Sequence, residues 1–277
     1  MTVIDKKIEV DERLSRVLRH FYFVKIPENE ETSIQHLSPS LEMLLIFNFG
    51  EPVSFSLGNE KIGKRTIGRV AILGPLRQML NYERKPGTDL MSLAFIYDGF
   101  YRFQSLFRQQ PGIISFDEEM AFRNAEYLNQ IWETLMPLED PMQRARVVQD
   151  FLLRNLTNPE PAANTLLDNV DTIYDPVIKP VSVMAERASV SDRTIQKRFR
   201  KYVGYSTKEL LRFLRFKAVV HFILENQDGK TDWFEIIHTY NYHDQSHLIK
   251  DFKYFTGVTP RQFVKLNAEG SFCLSRD

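Results

Sequence analysis

The 277-residue chain contains one cysteine, Cys273, so no intramolecular disulfide can brace it. The longest strongly apolar run, Leu41 to Phe49, falls far short of the ~20 residues that cross a bilayer. Met1 to Val10 offer neither an apolar h-region nor a small-residue cleavage site, so no signal peptide is expected. Net charge is also absent: 36 Lys and Arg cancel 36 Asp and Glu. That balance excludes a chain that coats nucleic acid along its whole length, and it excludes a highly charged disordered tail. No Gly-x-Ser-x-Gly, Cys–His pair or glycine-rich dinucleotide fingerprint appears. The expectation is a cytoplasmic, non-membrane protein without catalytic residues, cofactor or metal.

The chain is 43% hydrophobic and 12% aromatic, ample material for a packed core. Its length suggests two domains of roughly 100–200 residues each. Short runs with turn signals between them fill the region from His20 to Tyr97. They are 20–26, 43–49, 53–57, 70–73 and 90–97, separated by Gly50, Pro52, Gly58, Gly63, Gly74, Pro75, Pro86 and Gly87. That texture predicts a β-barrel or sandwich. After Pro111 and Gly112 the period lengthens. Phe122, Ala125, Leu128, Trp132 and Leu135 predict an amphipathic helix, and Ala145, Val148, Leu152 and Leu156 predict another that opens at Asp140-Pro141. Asn158-Pro-Glu-Pro161 breaks the pattern, and everything beyond it reads helical. The expected division is a barrel over 1–115, helices over 116–160, an all-α domain over 161–268 and a tail over 269–277. The fold class is therefore α+β with two domains.

The cancelled charge hides an asymmetry. Residues 1–160 hold 19 basic and 22 acidic residues, leaving 17 and 14 for the rest. Between Ser191 and Lys217 there are nine basic residues against Asp192 and Glu209. This stripe holds the first copy of a degenerate repeat. Ile195, Phe199 and Tyr202 share one helix face, as do Leu248, Phe252 and Phe255 further on. Each run ends at a glycine, Gly204 or Gly257, followed by a new helix start at Ser206-Thr-Lys-Glu209 or Thr259-Pro260. A short amphipathic segment precedes each, at 182–188 and 232–240. The unit is helix, tight turn, helix, written twice. Residues 209–226 between the copies are apolar nearly all round, which predicts a buried connecting helix.

The opposite faces carry side chains suited to base edges. Arg193, Gln196 and Lys197 lie on the first, with Gln245, Ser246 and Lys250 on the second. Arg and Lys donate to guanine O6 and N7, and Gln pairs with adenine N6 and N7. Helices of about 191–202 and 244–255 that present them can line successive major-groove segments of double-stranded DNA, about 34 Å apart. Arg198, Arg200, Lys201, His247, Lys253 and Thr259 are expected at the DNA backbone or in packing around it.

This pattern resembles the AraC/XylS family of bacterial transcription regulators. The resemblance is carried by 183–199, Gly204-Tyr-Ser206, Leu214-Arg-Phe216, 242–253 and Phe255-Thr-Gly-Val-Thr-Pro260. It covers about 162–267 and implies two helix-turn-helix units joined by a long helix. It also implies base contacts from the six residues just named and RNA polymerase as a partner. The region before it is similar to the cupin-like sensor barrels of that family, which implies a small-molecule effector and a homodimer. Two departures stand out. Ser189 and Asn241 occupy the turns where the family has glycine, and a left-handed backbone suits Asn better than Ser. Lys197 stands where arginine would give bidentate guanine recognition, so looser readout is expected there.

Competing chemistry fits less well. Gly58 to Lys64 nearly matches a phosphate-binding loop, but Arg65 takes the Ser or Thr position and a strand follows instead of a helix. A metal-dependent barrel enzyme would need several ligands, and 1–160 offer only His20 and His36 among histidines. His243 and His247 have a zinc-compatible spacing, on a surface the DNA reading already uses. The helices at 117–136 and 141–156 could either cover the barrel or form a dimer seam.

Overall fold

Every residue from Met43 to Phe47 is apolar and Asn48 has its amide hydrogen-bonded to Glu51 O and Ile67 O, so the strand they form can be buried at every position, with both faces of its sheet covered. The computed structural model describes residues 3–107, 126–168, 180–225, 232–268 and 272–273. Among the described residues ten strands run in chain order. They are β1 (Ile4–Glu9), β2 (Leu18–Lys25), β3 (Ser33–Leu37), β4 (Met43–Asn48), β5 (Val53–Leu57), β6 (Arg65–Ile67), β7 (Val70–Leu73), β8 (Leu80–Arg84), β9 (Asp89–Phe95) and β10 (Phe272–Cys273). One sheet has the order β1-β2-β9-β4-β7 and the other β10-β3-β8-β5-β6. All pairings are antiparallel except that of β10 with β3.

The first sheet has a core on each side. Val24, Leu44, Ile46, Phe55, Leu80 and Leu90 fill the space between the sheets. Phe21, Phe23, Leu45, Phe47, Met91 and Leu93 point the other way, alternating along the same strands. Against that outer face pack α1 (Gly99–Phe107), α2 (Glu126–Leu135) and α3 (Pro141–Asn155). Asp140 caps α3 by accepting from Met142 N at 3.0 Å, with Pro141 in the first turn. Leu128, Ile131, Leu135, Ala145, Val148 and Leu152 are buried on the sheet. Both apolar helix faces are thus spent on covering it. Phe122 and Ala125 lie outside the described residues. Arg144 fixes α3 by an ion pair to Asp89 at 2.7 Å while its guanidinium lies 3.7 Å from the Phe49 ring centre.

Five strands stand near their expected positions. β1, β3 and β8 lie outside the expected runs because IDKKIE, SIQHL and LNYER mix polar with apolar residues along strands that are edges or half-solvated, and β10 departs from the expected tail over 269–277 by pairing with β3. The run 66–73 reads as one strand but divides into β6 and β7, which belong to opposite sheets. Residues 58–64 lie in the turn of the β5–β6 hairpin. No helix of the described residues is long and apolar enough to cross a membrane.

The remainder is helical: α4 (Pro161–Leu167), α5 (Pro180–Arg187), α6 (Asp192–Tyr202), α7 (Thr207–Glu225), α8 (Trp233–Thr239), α9 (Gln245–Thr256) and α10 (Pro260–Ala268). They share one core that includes Ile195, Phe199, Phe213, Phe216, Leu248 and Phe252. α7 is the expected connecting helix. Glu209 takes both the N–H and the hydroxyl of Ser206 at 2.7 Å, and Ser206 Oγ accepts from Glu209 N at 3.2 Å, closing a capping box.

Candidate nucleic-acid interface

Two helix-turn-helix units are built alike. α5 enters the first turn and α8 the second. At the turn the backbone must become left-handed, and it does so at Ser189 (φ 51°) and Asn241 (φ 55°). The following amides close the same loop in both copies: Val190 N donates to Ala185 O at 2.9 Å, and Tyr242 N to Ile237 O at 3.0 Å. Both are six-residue Schellman closures that would ordinarily use glycine. The replacement of glycine therefore leaves the geometry of the first turn intact.

The next helix starts on a side-chain cap each time. Ser191 Oγ accepts from Thr194 N at 3.2 Å, and Asp244 Oδ1 from His247 N at 2.7 Å. The His247 amide and the His243 ring, both hydrogen-bonded to the Asp244 carboxylate, hold its pKa below the usual range. Ile195, Phe199 and Tyr202 anchor α6, while Leu248, Phe252 and Phe255 anchor α9. With those faces fixed, the pitch of the helix leaves Arg193, Gln196 and Lys197 exposed on α6, and Gln245, Ser246 and Lys250 exposed on α9.

The residues expected at the DNA backbone divide into two groups. Arg200 and Lys253 are exposed. The other four are engaged within the protein. Arg198 donates to Thr165 Oγ1 at 2.9 Å. Lys201 donates to Glu160 Oε2 at 2.7 Å and lies 4.7 Å from the Tyr202 ring centre. Lys201, Tyr101 and Tyr202 all donate to Glu160, and in that order they hold its carboxyl at about 2. His247 meets Arg215 at 3.3 Å and stands edge-on to Tyr242. Thr259 exchanges hydrogen bonds with Gln262 at 2.9 and 3.4 Å, closing the cap of α10.

Asp251 was not singled out in the sequence. It is buried on α9 and accepts from Arg212 Nε of α7 at 2.7 Å, with Arg215 at 3.5 Å. Arg212 also covers the Tyr254 ring, and Arg215 the Tyr242 ring. This network ties α9 to α7. The available signal was an acid on an otherwise basic helix, next in sequence to the anchoring Phe252.

The loop between β7 and β8 touches the helical part at the ends of α6 and α9 and at the start of α7. Arg77 pairs with Glu209 at 2.9 Å and donates to Gly204 O at 3.1 Å. Gln78 donates to Tyr254 O at 3.1 Å and Met79 N to Phe255 O at 2.7 Å. Gly257 (φ 79°) lies so close to 58–59 that a Cβ would stand 2.7 Å from Asn59 N.

Between the sheets is a cavity of about 400 Å3. Among the barrel aromatics, Tyr22 and Tyr82 line it, whereas Phe21, Phe23, Phe47, Phe49, Phe55, Phe95, Tyr97, Tyr101 and Phe103 do not. His20 also lines it, whereas His36 is on the opposite sheet and bonds to Asn81 at 2.7 Å. Among the described residues no three of His, Cys, Asp and Glu converge on a common point.

Residues 184–265 match a helix-turn-helix domain family. No curated protein matches the chain. Among solved structures it is similar to ToxT of Vibrio cholerae bound to (E)-4-(8-methylnaphthalen-1-yl)but-3-enoic acid. That alignment has 12% identity over 89% of this chain and 97% of the other, with a TM-score of 0.40. The unsaturated-fatty-acid-bound form of ToxT aligns at 11% identity over 84% and 94%, with a TM-score of 0.38.

Proposed function

We propose that the chain is a sequence-specific transcription regulator similar to the AraC/XylS family, which inserts α6 and α9 into successive major-groove segments of double-stranded DNA; the helix-turn-helix domain match over 184–265 supports this reading. The observation that carries this reading is the doubled unit itself. Two capped helices bury one face each in a common core and leave side chains able to read bases on the other. Arg193, Gln196 and Lys197 read one segment; Gln245, Ser246 and Lys250 read the next. Arg200 and Lys253 reach phosphates directly. Arg198, Lys201, His247 and Thr259 act at the backbone only as far as their internal partners release them, and otherwise hold the reading helices in place.

The barrel over 1–115 with the helices over 116–160 forms the sensing part, and 161–268 the reading part, followed by a tail over 269–277. The cavity is the place for a small-molecule effector, which acts by biasing how the sensing part holds the reading part. The protein works in the cytoplasm as a homodimer that engages RNA polymerase. Selection of duplexes from a random pool with the full-length protein tests the reading. Enrichment of one motif spanning two half-sites supports it, and recovery of unrelated sequences overturns it.

A further inference from the structure

The turn of the β5–β6 hairpin meets the end of α9. Gly257, which stops that helix, still donates its N–H to Lys253 O at 3.0 Å, so its Cα lies on the helical path. Ser246, Lys250, Lys253 and Gly257 stand at i, i+4, i+7 and i+11, which places them in one stripe along α9. The first three are exposed. The stripe thus runs from the base-reading end of α9 to a glycine on which the hairpin sits. A Cβ at 257 would stand 2.7 Å from both Asn59 N and Gly58 C. At the helical rise, that contact is about 6 Å beyond Lys253 and about 10 Å beyond Lys250 along the axis. The turn is braced in this position. Gly58 N donates to Met79 O at 2.8 Å, and Met79 N donates to Phe255 O at 2.7 Å. Asn81 Nδ2 donates to Gly58 O at 3.0 Å, and Gln78 Nε2 to Tyr254 O at 3.1 Å.

The turn carries charge of one sign. Lys61 and Lys64 are exposed, and neither forms an ion pair among the described residues. The acid beside them, Glu60, is taken by Arg65 at 3.3 Å. Lys61 follows Asn59 by two residues, so its Cα lies within about 7 Å of the contact with α9. Lys64 directly precedes Arg65, which pairs with Phe55 across the hairpin. On the helical side of the contact, residues 252–268 hold Lys253, Arg261 and Lys265, all exposed, and no Asp or Glu. Cations from the barrel and from the second reading unit therefore flank the end of the α9 stripe. A lysine ammonium is a point charge on a flexible stem, which suits a phosphate backbone better than a base edge. Gly58 to Lys64, which fails as a nucleotide loop because a strand follows it, still presents lysines to phosphates in this setting.

We propose that the β5–β6 hairpin of the barrel is part of the DNA interface, with Lys61 and Lys64 on backbone phosphates beside the segment that α9 reads. The proposal extends the DNA-binding reading and rests on it. Such contacts add affinity and fix the position of the duplex without carrying base information. They also make the sensing part a direct participant in binding.

The test follows binding of the full chain to its selected duplex by fluorescence anisotropy over a series of salt concentrations. Wild type is compared with Lys61→Gln combined with Lys64→Gln, and with Lys6→Glu. Lys6 is exposed on β1, at the opposite edge of the first sheet from β7, the strand that β6 leads into. Lys6→Glu therefore makes the same change in net charge while leaving the hairpin intact. The double variant should bind roughly tenfold more weakly at about 0.15 M salt, and its slope of log K against log salt should be shallower by about two. Lys6→Glu should keep the wild-type slope. Selection from random DNA should return the same base preferences for all three. Hydroxyl-radical footprints of the double variant should lose protection beside the segment read by α9 and nowhere else. Wild-type affinity and slope in the double variant overturn the proposal, as does an equal loss in Lys6→Glu. Tighter binding by the double variant also overturns it, because the hairpin would then obstruct the duplex. A wild type that selects no motif overturns the DNA-binding reading itself, and this proposal with it.

Discussion

Arg212 on α7 donates its Nε–H to Oδ1 of Asp251 on α9 at 2.7 Å, and Asp251 is only 1% exposed. Arg215 approaches the other oxygen at 3.5 Å. Removing the carboxylate leaves two guanidinium groups facing a void. Breaking a buried pair from one side costs about 3–5 kcal/mol. Asp251→Ala should therefore lower the urea midpoint strongly, and Asp251→Asn, which keeps an acceptor oxygen, should lower it less. Equal midpoints for Asp251→Ala and wild type would show that the network carries no stability.

Ser189 and Asn241 hold left-handed backbone in equivalent turns. Left-handed geometry costs a non-glycine residue roughly 1–2 kcal/mol, less for Asn, and glycine returns part of that gain through its larger unfolded-state entropy. Ser189→Gly should stabilise the protein by about 0.5–1 kcal/mol and Asn241→Gly by less. Chemical denaturation of the two variants checks both the sign and the order.

Lys201 is held by Glu160, so a phosphate must compete with that carboxylate. Glu160 has a depressed pKa in the folded state, about 2 against an ordinary 4.5. Its stabilising contribution is thus present at neutral pH and lost as pH falls through that interval. Both side chains are about half exposed, which limits the pair to roughly 1 kcal/mol or less. Glu160→Gln should release Lys201, raise affinity for non-specific duplex and steepen the dependence of log K on log salt by about one. An unchanged salt slope would place Lys201 away from the DNA.

Asp98 is buried, with neither carboxylate oxygen hydrogen-bonded, and burial raises its pKa. A raised folded-state pKa means the ionised form destabilises the fold at neutral pH, and the penalty is relieved as pH falls through that pKa. Asp98→Asn should be more stable than wild type at pH 7, with the difference shrinking in acid. Thermal melts across pH measure it, and a less stable variant at pH 7 would contradict the assignment.

The doubled reading unit was legible because its signals are local. Caps at Ser191, Asp244 and Ser206, stops at Gly204 and Gly257, and anchors three or four residues apart all act within a single helix. The strand-rich half was legible in texture but not in pairing. Residues 66–73 read as one strand, yet they break at Gly68-Arg69 and cross from one sheet to the other. The features least visible were those set by distant partners. Asp251 gains its role from Arg212, 39 residues away in sequence. Leu41 looks like the start of an apolar strand and instead packs into the helical core. Lys201 reads as a phosphate ligand until Glu160 is seen beside it.

The proposed reading of two consecutive grooves by α6 and α9 is tested by selection from random DNA with wild type, Arg193→Ala and Gln245→Ala, comparing the base preferences position by position. Each variant should lose about 1–3 kcal/mol of discrimination at its own position. The two positions should stand about one helical turn, roughly 10 base pairs, apart. Preferences that are unchanged, or lost at one shared position in both variants, would contradict the account.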